Sequence, residues 1–347
     1  MTKTAIAILN WNGKGFLGQF LPDVIKYSPE AEVYVIDNAS TDGSVDFLSS
    51  NFPLVKCIRL DKNYGFCKGY NLGIHQIESK YLVLLNSDVE VTEGWLDSME
   101  ELLDENENIA ACQPKILDFY QRNKFEHAGA AGGYIDKYGN PFCRGRLFDH
   151  IEEDLGQYDI QSPIFWATGA CLFIRNATFK EFEGFREIYF AHMEEIDLCW
   201  RIQASGKQIF FCPKSVVYHV GGGTLNKINP RKTFLNFRNC LLLVHYNFSG
   251  WRRRKTIIAR LFLDGLAGAF FLLNGEWKHT IAILKAHFAF YRILWNEKKK
   301  TGEGKQILSH IYMRSITFDY FLFGKKKFTD LDLKIPNSTS VSAKVLA

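Results

Sequence analysis

Residues 81–88 read Tyr-Leu-Val-Leu-Leu-Asn-Ser-Asp. Five apolar residues in unbroken succession suit a strand buried on both faces, as the central strand of a parallel sheet is. The run stops at three polar residues, which places Asp88 at the end of a buried strand. The same alternation extends toward the N-terminus. Thr4–Leu9, Glu32–Ile36 and Val55–Leu60 are short β-branched or apolar runs. Between them, Phe16, Leu17, Phe20, Leu21, Val24 and Ile25, then Val45, Leu48 and Phe52, then Phe66, Tyr70, Gly73, Ile74 and Ile77 recur at helical spacing. On the C-terminal side, Trp95, Leu96, Met99, Leu102 and Leu103 predict a helix and Ala110–Ile116 a strand. This rhythm predicts an α/β fold: a mostly parallel sheet flanked by helices, with right-handed crossovers.

Periodicity fails from about 118 to 162, where an irregular excursion is expected. Regular structure resumes with the apolar run Phe165–Ile174, a helix over Glu195–Ser205 and two short strands, Gln208–Cys212 and Ser215–Val220. From about residue 233 the chain reads as helical, with a disordered tail expected over 331–347.

Composition narrows the class. A chain of 347 residues that is 47% hydrophobic and 23% charged has ample material for a core, which excludes wholesale disorder. Its charge is unevenly spread: residues 1–224 hold 20 Lys and Arg against 31 Asp and Glu, and residues 225–330 hold 20 against 6. Eight cysteines without a Cys-x-x-Cys pair point to reduced thiols and a cytoplasmic chain. The five apolar residues Ala5–Leu9 are too few for a signal-peptide core. Ile257–Leu273 comes nearest to a membrane span but is interrupted by Arg260 and Asp264. Basic runs at Arg252–Lys255, Lys298–Lys300 and Lys325–Lys327 flank aromatic-rich helical segments, as expected of a region lying on an anionic membrane surface. Ordinary core helices with solvated ends are the alternative. The helical spacing of the aromatics argues against a nucleic-acid partner.

An open parallel sheet binds ligands beyond the carboxyl ends of its strands. The first four strands end in Asn10-Trp11-Asn12-Gly13, in Asp37-Asn38-Ala39-Ser40, in Asn63-Tyr64-Gly65 and in Asn86-Ser87-Asp88-Val89-Glu90. One such end is good turn chemistry; four in register make a binding edge. Neither Gly-x-Gly-x-x-Gly nor the Gly-x-x-x-x-Gly-Lys-Ser/Thr loop occurs, which disfavours dehydrogenases and P-loop hydrolases. Asp88 is placed to hold a hard divalent cation that bridges a diphosphate. Glu194, Glu195 and Asp197 form a second acidic cluster at a helix start, beside apolar residues able to raise a carboxyl pKa and make a base. His219 closes the last predicted strand before Gly221-Gly222-Gly223, as a candidate metal ligand.

Five blocks taken together resemble the family-2 glycosyltransferases, in their bacterial rhamnosyltransferase-like branch. They are Ala7–Asn12, Val35–Ser44, Asn63–Gly73, Leu84–Asp88 and Glu194–Arg201. The resemblance implies a GT-A fold over 1–232, with a nucleotide-sugar half to about 117 and an acceptor half after it; the charge and aromatic pattern read above makes 233–330 a membrane-associating region. It implies a nucleotide-sugar donor (a dTDP- or UDP-sugar, dTDP-rhamnose among them), Mn²⁺ or Mg²⁺, and inversion onto a lipid-linked or growing glycan at the cytosolic face of the bacterial inner membrane. By the same resemblance, Asn10, Trp11, Asn12 and Asp37 line the nucleoside pocket. Asn63, Gly65, Gly69, Asn71, Asn86 and Ser87 lie along the donor, and Asp88 with His219 takes the metal. Glu195 is the implied base, beside Glu194 and with Asp197 as fallback. Asn86 and Glu195 depart from the family's usual Asp at those positions. A sugar nucleotidyltransferase and a catalytically silent nucleotide-sugar binding module are the rival readings.

Overall fold

The computed structural model describes residues 2–221, 229–297 and 311–333. Its first half follows the expected alternation: β1 (Thr2–Asn10), α1 (Lys14–Lys26), β2 (Glu32–Asp37), α2 (Ser44–Asn51), β3 (Lys56–Arg59), α3 (Gly65–Ile74) and β4 (Ser79–Asn86). β1 pairs in parallel with β2 and β4, and β2 with β3. Alternate residues of these strands feed two separate cores. Ile6, Ile8, Val83 and Leu85 pack with Leu17 and Leu21 of α1, while Ala5, Ala7, Leu82 and Leu84 pack with Tyr70 and Ile74 of α3. Both faces are covered, so the strands read as continuous apolar runs rather than as alternation.

The chain continues through β5 (Val89–Val91), α4 (Asp97–Glu105) and β6 (Ile109–Asp118). β6 is not the neighbour of β4. Between them lies the later strand β12 (Cys171–Arg175), antiparallel to both. Only the second half of the apolar run Phe165–Ile174 is therefore strand.

The excursion expected over 118–162 is irregular over most of its length but carries short strands that the sequence did not show. It holds β7 (Gly133–Asp136), β8 (Pro141–Cys143), β9 (Arg146–Leu147) and β10 (His150–Ile151), paired as an antiparallel meander, and β11 (Ser162–Pro163), which joins the main sheet. Strands of two to four residues are too short to display a period. After α5 (Asn176–Glu181) and α6 (Glu194–Ala204) comes β13 (Gln208–His219), which runs through as one strand. A register shift between Cys212 and Val216 accounts for its reading as two.

The C-terminal region begins with three helices, α7 (Pro230–Asn247), α8 (Gly250–Leu273) and α9 (Trp277–Asn296). It is not helical to its end. β14 (Ile311–Tyr312) pairs with β7, and the segment through α10 (Ile316–Phe321) returns Phe328 to the rings of Tyr134, Phe142 and Tyr158. By length and composition α8 suffices to cross a membrane, the two charges that interrupted it in sequence notwithstanding. All eight cysteines are free thiols. The tail beyond residue 333, Lys298–Lys300 and the glycines 222 and 223 lie outside the described residues.

Candidate active site

The parallel strands bring their carboxyl ends to one edge. Asn10 is paired in register with Asp37, Leu9 with Asn86, and His219 with both Asp118 and Val89. The predicted polar ends of β1, β2 and β4 thus meet the end of β13. Asn10 is fully buried and donates through Nδ2 to Asp37 Oδ1 (3.0 Å) and Ser40 Oγ (3.1 Å), while its Oδ1 accepts from Gly13 N. The second Asp37 oxygen accepts from Ser40 N at 2.9 Å. Each oxygen of this carboxylate keeps one lone pair. Asn12, in the left-handed region at φ 54°, accepts from Thr41 N, and Trp11 between them is half exposed, an open aromatic face at the rim. These loops are held by side chains that the same loops supply.

The β3–α3 loop is tied to the second loop in the same way. Asn38 accepts from Tyr64 N and donates to Asn63 Oδ1 and Gly65 O. Gly65 has φ 78°, and a Cβ there would lie 2.5 Å from the Phe190 ring; a Cβ at Gly69 would press on Leu9 and Asn38 at 3.0 and 3.1 Å. Gly65 is favoured by its backbone conformation and by packing, and Gly69 by a close approach alone. Asn71 departs from its expected place beside the donor: its amide exchanges two hydrogen bonds with the Phe185 backbone, at 2.7 and 2.9 Å.

At the end of β4, Asn86 N donates to Ala170 O and Ser87 follows at the turn. The tight β4–β5 reversal carries Asp88 back against β13, so that Asp88 Oδ1 lies 3.2 Å from His219 Nε2. His219 Nδ1 is 3.5 Å from Glu126 Oε2, a charge pair rather than a good hydrogen bond. Burial would depress the His219 imidazole, but the Glu126 charge and the contacts to Asp88 prevail and raise it to about 10. Burial likewise pushes Glu126 up, and His219 overcomes this to hold it below the usual range. Glu126 was not foreseen. It lies in the aperiodic segment with no motif around it, and a buried acid among apolar residues there was its only signal.

Among the described residues no three His, Cys, Asp or Glu converge to hold a metal unaided. The donor set offered at this edge is Asp88, with Asn86 two residues before it in the chain and His219 once a cation displaces the proton it holds toward Asp88. Such a set fits a Mg²⁺ or Mn²⁺ ion that takes its remaining ligands from a diphosphate and water.

The second acidic cluster stands on a strained turn. Phe190, His192 and Met193 have φ of 66°, 69° and 74°, three left-handed non-glycine residues within four, a cost of about 1–3 kcal/mol each that surrounding structure must over-determine. A residue of α7 does so. Fully buried Asn239 donates through Nδ2 to the carbonyls of Tyr189 (3.0 Å), Ala191 (2.8 Å) and His192 (2.7 Å), and Arg238 donates to those of Ile188 and Tyr189. Phe190 O in turn accepts from Cys67 N, which fixes the turn against the start of α3.

Glu194 and Glu195 open α6 directly after this turn. Each has a carboxyl oxygen, Oε2, shut off from solvent without a hydrogen-bond partner. Burial raises both: Glu195, the more open of the two, to about 7, and Glu194 well above its ordinary value with the Glu195 charge adding to the effect. Burial thus disfavours charge on Glu194 the more strongly, and Glu195 is poised near neutrality to take a proton. His192 carries a third unpartnered buried atom, Nε2, and burial with the Lys232 charge lowers it to about 4. Asp197 is unsuited as a fallback base. It is fully buried and bound by Arg186 (2.6 Å), Arg201 (2.8 Å), Asn247 (2.9 Å) and Tyr189 (3.2 Å), so no oxygen is free to face a substrate.

Residues 5–180 match the family described as Glycosyl transferase family 2. The chain is 23% identical over 241 residues to an N-acetylglucosaminyl-diphospho-decaprenol L-rhamnosyltransferase of Mycobacterium tuberculosis, covering 64% of this chain and 76% of that one. It is 24% identical over 209 residues to a pre-mycofactocin glycosyltransferase of the same species, covering 58% of this chain and 40% of that. Among solved structures, GalNAc-T7 with UDP, GalNAc and Mn²⁺ superposes with a TM-score of 0.55 at 17% identity, over 71% of this chain and about half (48%) of its own. The mannosyltransferase PcManGT of Pyrobaculum calidifontis, with GDP-Man and Mn²⁺, gives 0.52 at 12% identity over 85% of this chain and 88% of its own. At these identities the structural likeness shows the fold, which is GT-A.

Proposed function

The chain belongs to glycosyl transferase family 2 and is a glycosyltransferase, and we propose that it inverts a sugar from a dTDP- or UDP-sugar onto a hydroxyl of a lipid-linked glycan. The M. tuberculosis relative, a rhamnosyltransferase named for a diphospho-decaprenol-linked N-acetylglucosamine, makes dTDP-rhamnose the first donor to try and a polyprenyl-linked sugar the first acceptor. The observation that carries the reading is Glu195, whose buried Oε2 has no hydrogen-bond partner and which follows a turn held by Asn239.

The step needs one base and one stabilised leaving group. The Glu195 carboxylate takes the proton of the acceptor hydroxyl as that oxygen bonds to the anomeric carbon. The bond from that carbon to the β-phosphate oxygen breaks on the opposite face, and its electron pair leaves with the diphosphate. Asp88, with Asn86 and His219, would hold a divalent cation that neutralises the charge appearing there. Trp11 offers a stacking face to the base, and Asp37 keeps acceptor capacity for its imide edge. Burial disfavours charge on Glu194, which limits the like charge beside Glu195. The enzyme would work peripherally, on the cytosolic face of the inner membrane.

Turnover of dTDP-rhamnose, UDP-glucose and UDP-N-acetylglucosamine with a polyprenyl-diphosphate-linked N-acetylglucosamine, read as an anomerically inverted product, tests this. Hydrolysis of nucleotide sugars without transfer, or release of pyrophosphate from a nucleoside triphosphate and a sugar phosphate, would overturn it.

A further inference from the structure

Helix α8 has its polarity reversed. Its buried positions are Thr256, Arg260, Asp264 and Gly268, spaced by four and so forming one stripe. Arg260 pairs with Asp264 at 3.1 Å and donates to Asn140 in the β7–β8 turn, and His287 of α9 reaches Asp264 at 3.1 Å. The opposite face is apolar and open: Ile258, Leu261, Phe262, Leu266, Phe270 and Leu273 are each half or more exposed. On α9, Leu284, Phe288 and Trp295 continue the pattern. A surface helix in water turns its charges outward. A paired charge stripe inside and an apolar face outside is the arrangement of a helix in contact with lipid. Single exposed apolar residues need no explanation, but a contiguous face on two adjacent helices does.

Three further observations select a bilayer as the occupant. Trp251, Trp277 and Trp295 stand more than half exposed at the helix ends, where indoles settle at the headgroup level. Exposed Arg254 and Lys255 head α8, and exposed Lys285 and Arg292 flank the α9 stripe. These cations call for an anionic surface, which a second copy of this basic face does not supply. Finally, α8 is long and apolar enough to span, yet Arg260 binds it at mid-length to Asn140 of the globular body. Lipid can reach one side only.

We propose that the α8–α9 hairpin is a membrane seat, lying in the plane of an anionic leaflet with its apolar face sunk below the headgroups. This deepens the reading of a lipid-linked acceptor but does not depend on turnover. The test is flotation of the full chain with vesicles of phosphatidylcholine alone or enriched in phosphatidylglycerol. Binding is expected to the anionic vesicles and, because apolar burial holds the protein there, to persist in about 0.5 M salt, where screening falls to roughly 4 Å. The triple substitution F262S/F270S/F288S should lower the partition coefficient at least about a hundredfold. R254Q/K255Q should lower it less and make the remainder less sensitive to salt. The thermal shift given by dTDP or UDP with Mn²⁺ reports folding and the donor site in every variant. A chain that stays at the bottom of the gradient while that shift is intact overturns the seat and leaves the enzyme reading standing. Equal flotation of wild type and triple variant overturns it too. So does a vesicle-free dimer that the triple substitution converts to monomer, since the face would then be occupied by a second copy.

Discussion

The two halves of the candidate site are held in opposite ways. The loops at the ends of β1, β2 and β3 are tied to one another by the short polar side chains that also made them visible: Asn10 to Asp37, Asn12 to Thr41, Asn38 to Asn63. The turn before α6 relies on distant residues. Asn239 and Arg238, about 50 positions later, hold its carbonyls, and Asn247 joins Arg186 and Arg201 on Asp197 behind it. A self-tied edge can be built by one folding unit. The strained turn is held by α7, so this helix of the C-terminal region supports the candidate site.

The sharpest way to separate the halves is E195Q. It keeps the shape of the turn and removes the base, so kcat should fall about 10²–10⁴-fold while dTDP or UDP still shifts the melting temperature as in wild type. D88A should do the reverse. Metal-dependent nucleotide binding should weaken about 10–100-fold, and chelation with EDTA should affect wild type but add nothing to the variant. If D88A binds nucleotide and metal normally, the cation is held elsewhere and the strand edge is not the donor site.

The comparison also explains what could be read from sequence. The edge residues could be placed because four strands in register each end in Asn or Asp, and Asp88 could be placed from its own strand. Asn239 could not, since an Asn within an apolar helix, Asn-Cys-Leu-Leu-Leu, carries no hint of the three carbonyls it serves. The partners of Asp197 and Asn71 were illegible for a related reason: these residue types suit chemistry, but Arg186 and Phe185 come from a loop whose path is set by tertiary packing. The insertion of β12 between β4 and β6 left the spacing of both unchanged and so gave no signal. Arg260 and Asp264 interrupted an apolar run in one dimension; in three they are the inner stripe of α8.

N239A tests the distant support directly. It takes the side-chain donor from the Ala191 and His192 carbonyls, while Tyr189 keeps Arg238, at a cost of about 1–3 kcal/mol in stability, read by chemical denaturation. The turn should relax from its left-handed residues and misplace Glu195, lowering kcat about ten- to a hundredfold with the nucleotide-diphosphate affinity unchanged. A loss of nucleotide affinity equal to the loss in kcat would mean that the halves are not independent and that α7 supports the strand edge too.

The smallest expected effect is the pH dependence, which sets the two consequences of burying Glu195 against each other. Its carboxyl is raised from an ordinary 4.5 to about 7, so between those values the folded chain binds more protons than the unfolded one. Stability from this group is therefore full below about pH 4.5 and is lost as pH rises through about 7. Activity runs the other way, because only the carboxylate accepts the hydroxyl proton. Log kcat should climb with unit slope below pH 7, giving about a tenth of the plateau near pH 6, and level off above it. E195D keeps the base with a shorter reach, so it should retain the shape of the profile at a lower plateau. E195Q should lose both the activity limb and its share of the fall in melting temperature between pH 6 and 8. A wild-type profile flat from pH 5 to 8 would exclude a base poised near neutrality and move the proton acceptor away from this turn.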